Sequence, residues 1–128
     1  MNSYQGTDVS NRKPYTKYLN INEILLVFDF DLPYYKEVLS DVVKNDYNWG
    51  VTKQVLKYAN YLKSNPESVI KLPPIKIINN RLDDGAHRIS AIYLLSQLLD
   101  KDNLYWNDVK LRVDFYTVAP KELEKLKK

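Results

Sequence analysis

From Tyr35 to Val43 the apolar residues Tyr35, Val38, Leu39, Val42 and Val43 fall at i, i+3, i+4, i+7 and i+8. That spacing marks one face of an α-helix. Asp31 suits its N-cap and Pro33 its first turn, so a helix is predicted from Leu32 to about Lys44. A second helical face is made by Val55, Leu56, Ala59 and Leu62, with Thr52 as the expected cap and an end near Ser64. A third is made by Ile89, Ile92, Leu95, Leu98 and Leu99, with Ser90, Gln97 and Lys101 opposite.

Elsewhere the period drops to two. Val109, Leu111, Val113, Phe115 and Thr117 alternate with Lys110, Arg112, Asp114 and Tyr116, as on a strand with one buried face. Ile75 to Ile78 reads as a short strand. Asn79-Asn80 suits a tight hairpin turn, because Asn tolerates positive φ. The chain then returns as a strand over Arg81 to Asp83. Leu19 and Ile21 alternate with Asn20 and Asn22, again strand-like. Leu25 to Phe28 fits a buried strand or a turn of helix, and so short a run does not decide between them. Asp46 to Gly50 reads as a turn, the stretch from Pro66 to Pro74 as a loop, and Asp100 to Asn107 as a polar loop holding Tyr105 and Trp106. Pro120 to Lys128 suits a short helix carrying Leu123 and Leu126. Residues 1–17 carry little apolar content and read as a flexible arm before a single domain over residues 18–128. The order of elements implies an α+β fold with a small mixed sheet and packed helices.

Composition narrows the function. The chain has 128 residues, enough for one core. There is no cysteine, which removes disulfides and thiol chemistry, and a single histidine makes a zinc site unpromising. No apolar run is long enough to span a membrane and no signal peptide is evident, so a cytoplasmic location without a membrane partner is expected. The net charge of +3 is compatible with nucleic acid without requiring it.

The strongest chemical signal is the run from Arg81 to Ser90. It predicts a strand, a glycine turn and a helix N-terminus, where free N–H groups and the positive end of the helix dipole meet. Gly85 lets an anion approach the backbone. His87 and Arg88 add donors in the first turn, and Arg matches phosphate oxygens in pairs. A basic first turn opposes the dipole unless an anion compensates it, which points to a phosphate site. The plainer reading makes Asp83 or Asp84 an N-cap and His87 a packed surface residue.

The residues Asp84-Gly85-Ala86-His87-Arg88-Ile89-Ser90-Ala91 resemble the D-G-x-H-R-x-x-A signature of the ParB/sulfiredoxin superfamily. Asn65-Pro66-Glu67-Ser68-Val69 followed by Pro73-Pro74-Ile75-Lys76-Ile77 is similar to the sulfiredoxin segment that precedes it. The resemblance covers about Val51 to Ser96 and implies a ParB/sulfiredoxin-like fold. Sulfiredoxin activity is excluded, because Ala86 stands where that chemistry needs a cysteine. The resemblance implies that Gly85, Ala86, His87 and Arg88 cradle the phosphates of ATP or ADP, with CTP as a further candidate. Lys53 and Lys57 lie near nucleotide-contacting positions of the relatives. As in the free serine kinases, a phosphoryl group would pass to a small hydroxylated metabolite such as an amino acid or a sugar. Asp84 would position Mg2+ or the acceptor, and a further carboxylate is expected after the first strand, at Asp29 or Asp31. Asp31 is equally well read as a helix cap. The alternative is a ParB-like DNA-associated module, acting as a nucleotide switch, a nuclease-like protein or a regulator of DNA modification. DNA is the less favoured partner, because the chain shows no helix-turn-helix candidate beyond the motif.

Overall fold

The computed structural model describes residues 9, 11–28 and 34–126. They form an α+β fold. The elements are β1 (Tyr15–Leu19), α1 (Ile21–Phe28), α2 (Tyr35–Lys44), α3 (Gly50–Ser64), a 3₁₀ segment (Pro66–Lys71), β2 (Ile75–Ile78), β3 (Arg81–Asp84), α4 (Ala86–Leu94) continued by a π-helical turn (Leu95–Leu99), α5 (Tyr105–Asp108), β4 (Leu111–Tyr116) and α6 (Pro120–Leu126).

The sheet order is β1-β4-β2-β3. β4 pairs antiparallel with β1 and parallel with β2, and β2 pairs antiparallel with β3. The mixed sheet expected from the sequence is therefore present. In the parallel pair Ile75 lies beside Val113 and Ile77 beside Phe115, so the apolar alternation of both strands falls on one face. Ile75, Ile77 and Val113 are buried there against Ile89 and Ile92 of α4. α4 in turn packs against α2 and α3. Helices on one side and sheet on the other explain why Ser90, expected to face outward, is 2% exposed.

Several boundaries move for local reasons. β1 starts at Tyr15, inside the stretch read as an arm, because Tyr15 to Leu19 pair with Phe115 to Leu111. Val9 is also buried, in a small cluster with Ile78 and Val118. Ile21 leaves the strand and Leu25 to Phe28 are helical. Asn20 and Glu23 cap α1 reciprocally, each side chain accepting from the other's backbone N–H at 2.9 and 3.1 Å. The N-cap position of α2 is Tyr34, and Asp31, the expected cap, lies outside the described residues. Asn45 ends α2 in the left-handed region at φ 56°. Thr52 is not a cap, since α3 begins at Gly50 and the Thr52 side chain is buried, donating to Asp41 Oδ2 at 2.6 Å. The Asn79-Asn80 turn is as expected, with both residues at positive φ (51° and 65°). The loop between Pro66 and Pro74 contains the 3₁₀ segment, and the polar loop after α4 closes on Trp106. That ring is fully buried, with its indole N–H donating to Asp100 Oδ2 at 2.7 Å. Among the described residues no helix is long and apolar enough to cross a membrane.

Candidate functional site

β3 ends in a bulge. Lys76 pairs with Asp84 and Ile77 with Leu82, which leaves Asp83 as the extra residue. The two carboxylates diverge from it. Asp83 lies 4.0 Å from Lys76 Nζ, and Asp84 lies 3.6 Å from Arg88 Nη2.

Gly85 follows at φ 124° and is the N-cap position of α4. A Cβ there would stand 2.9 Å from Ile75 Cγ1, so both backbone angle and space require glycine. Among the described residues no side chain caps α4. The reading of Asp83 or Asp84 as an N-cap is therefore wrong, and the first N–H groups of α4 keep their unpaired character. The first turn is basic, as the sequence implied.

Arg88 departs from expectation in its placement. It is 6% exposed, and its guanidinium folds back over Gly85. Nη2 donates to the Pro74 carbonyl at 3.3 Å, and buried Nε has no hydrogen-bond partner. Arg88 thus ties α4 to the entry of β2 as well as to Asp84. His87 is half-buried, its ring centroid 5.5 Å from that of Tyr34. Burial and the neighbouring Arg88 charge hold the His87 pKa below its usual 6.5, against the smaller opposing effect of Asp84. Tyr34 stacks edge-on with Trp49 and is pushed up to about 12 by burial and then by the Asp84 charge. Its hydroxyl therefore stays protonated.

Asp84, Gly85, Ala86, His87 and Arg88 are brought together, with Tyr34 against them. Tyr35 instead turns into the core, 4.7 Å from the Tyr93 ring. Lys53 and Lys57 are exposed on α3. The α3 residue that Arg88 acts on is Tyr58, whose pKa is raised by burial and lowered by the Arg88 charge. Tyr58 was legible only as part of a helix, because periodicity does not report which residue faces a partner's charge. Asp29 and Asp31 lie outside the described residues. Among the described residues no group of three or more His, Cys, Asp or Glu could hold a metal ion. Asp84 offers a single carboxylate, which suits Mg2+ only when phosphates supply most of the other ligands.

No protein-family model, curated protein or solved structure matches the chain.

Proposed function

We propose that the protein binds a nucleotide at the turn from Asp84 to Arg88 and passes a phosphoryl group from ATP or ADP to a small hydroxylated metabolite. The observation that carries this reading is the uncapped N-terminus of α4 beneath Gly85, with His87 and Arg88 in its first turn. A helix start with no acidic residue in its first turn, whose Arg88 charge is met only by Asp84 at 3.6 Å, attracts an anion to its N–H groups. The resemblance of the motif to the ParB/sulfiredoxin superfamily supports phosphate as that anion.

Each residue has a role in this reading. The N–H groups of Ala86, His87 and Arg88 bind phosphate oxygens, and Gly85 allows the close approach. Arg88 supplies charge from below. Asp84 shares the Mg2+ that accompanies the nucleotide. Alternatively Asp84 positions the acceptor hydroxyl. The proton acceptor would be Asp29 or Asp31.

The test is a substitution that separates binding from folding. Ala86→Asp places a negative charge in the first turn, where it suits the helix dipole. The variant should melt at or above the wild-type temperature. Millimolar ATP or ADP with Mg2+ should raise the melting temperature of the wild type and leave the variant unmoved. A wild type indifferent to ATP, ADP and CTP would sink the proposal, as would a variant that responds fully.

A further inference from the structure

A separate cleft of about 250 Å³ opens where β4 runs past the start of β2. Three cations line it from three places: Arg88 of α4, Lys110 just before β4, and Arg112 within β4. Among the described residues none that lines it is acidic. The other lining is mainly apolar, with Val69, Leu72, Ile75 and Leu111 inside and Pro73, Tyr18 and Ile70, the last 85% exposed, at the rim.

The cations differ in what they have left to give. Asp114 holds Arg112 through Nε at 3.1 Å, so the two Nη groups are the donors available to a ligand. Glu23 meets Lys110 at 3.0 Å, with both side chains about half exposed. A pair so open to water is weak, and a ligand displaces it at little cost. Arg88 is the dry member, with a buried Nε that has no acceptor among the described residues. Its Nη2 is held by Asp84 and the Pro74 carbonyl, so Arg88 contributes a fixed positive charge to this wall.

We infer that this cleft binds a small amphipathic anion, a carboxylate or phosphate monoester on a short apolar body. The head group sits among Arg88, Lys110 and Arg112, and the body lies against Val69, Leu72 and Leu111. The volume, about 250 Å³, is below the roughly 300 Å³ at which sites for drug-sized molecules begin, which suits a small ligand better than a whole nucleotide. The inference stands without the nucleotide reading, because two of its three cations and all of its apolar walls lie outside the α4 turn.

The probes are hexyl phosphate, hexanoate, hexanol and inorganic phosphate, titrated to millimolar concentration into ¹⁵N-labelled full-length protein. Hexyl phosphate, hexanoate or both should shift the amide signals of Ile70, Leu111 and Arg112. If only one does, the head group is thereby identified. Hexanol, which lacks the charge, and inorganic phosphate, which lacks the body, should bind at least about tenfold more weakly. Ile70→Glu puts a carboxylate at the rim on an exposed position, so the fold is undisturbed and anion binding should disappear. Lys110→Gln should weaken it about threefold to tenfold. No response to either anion, hexanol binding as well as they do, or full binding by both variants would each overturn the inference. ATP is titrated in parallel, and its failure with hexyl phosphate binding intact would strike only the nucleotide reading.

Discussion

At the residue scale, Arg88 does two jobs that pull against each other. In the proposed reading it is the last basic group facing the ligand, yet it is buried and tied to Asp84 and the Pro74 carbonyl. Truncation therefore tests stability before it tests binding. Arg88→Ala leaves Asp84, whose side chain is 16% exposed, without its partner and opens a void beneath Gly85. We expect a loss of about 3 kcal/mol in urea unfolding, and a loss under about 0.5 kcal/mol would show that the pair is ornamental. His87 gives a pH signature. Its folded pKa is lowered, so the unfolded chain takes up the proton first as pH falls. Its contribution is complete above the unfolded value near 6.5 and is lost as pH drops through the folded value. The melting temperature should fall from pH 7 toward pH 5, and His87→Gln should flatten that slope. Asp100 and Glu23, with lowered carboxylate pKa values, act only in the lower window beneath about 4.5. An anion bound at the turn would raise the His87 pKa. Nucleotide binding near pH 6 should then take up protons, which calorimetry in buffers of different ionisation enthalpy detects.

At the scale of elements, the helices are positioned by side-chain links that periodicity does not reveal. Thr52 reads as a cap because it precedes an apolar face, but Gly50 already opens α3. Thr52 instead points inward and binds Asp41, fastening α3 to α2. α2 carries Tyr34 at its N-cap, so this link also sets how the wall with Tyr34 meets the α4 turn. Thr52→Val keeps the shape and removes the donor. It should cost about 1 kcal/mol, with a matching gain in amide exchange at the start of α3, and unchanged exchange would show that packing alone holds the pair. The α1 assignment carries the opposite lesson. Asn20 and Glu23 sit three apart, as a capping box requires, so the helix was legible to a reader weighing caps ahead of periodicity.

At the scale of the whole molecule, charge is the property that sequence and structure share. The net charge of +3 is spread among paired side chains, including Arg12 with Glu122, Lys110 with Glu23 and Arg112 with Asp114. A net charge this small gives only weak long-range attraction for a polyanion. We expect duplex DNA to bind only at the non-specific level, with Kd around 10⁻⁴ to 10⁻⁶ M at physiological salt and a steep decline as salt rises. Fluorescence anisotropy on an arbitrary duplex checks this. A complex tighter than micromolar at that salt would favour the DNA-associated module over the phosphotransferase.

Local chemistry was readable from the chain alone. The helical faces at Tyr35–Val42 and Val55–Leu62, the Asn-Asn hairpin, the alternation of β4 from Leu111 to Val113 and the glycine turn before α4 each depend on neighbours within a few positions and are present, whereas Val43, expected on the first face, is 63% exposed. What depends on distant neighbours was not readable. Ser90 looked solvent-facing until α2 and α3 covered α4, and Asp114 looked outward until Thr16, 98 positions away, donated to it at 2.7 Å. Trp106 looked like a loop residue until Asp100 and the core enclosed it. The cleft of Arg88, Lys110 and Arg112 has no linear signature, because its cations come from separate stretches and meet only at the point where β4 outruns β2. Spacing along a chain fixes which face a residue occupies on its own element. Only packing determines what that face meets, and therefore which charges end up dry, paired or free to hold a ligand.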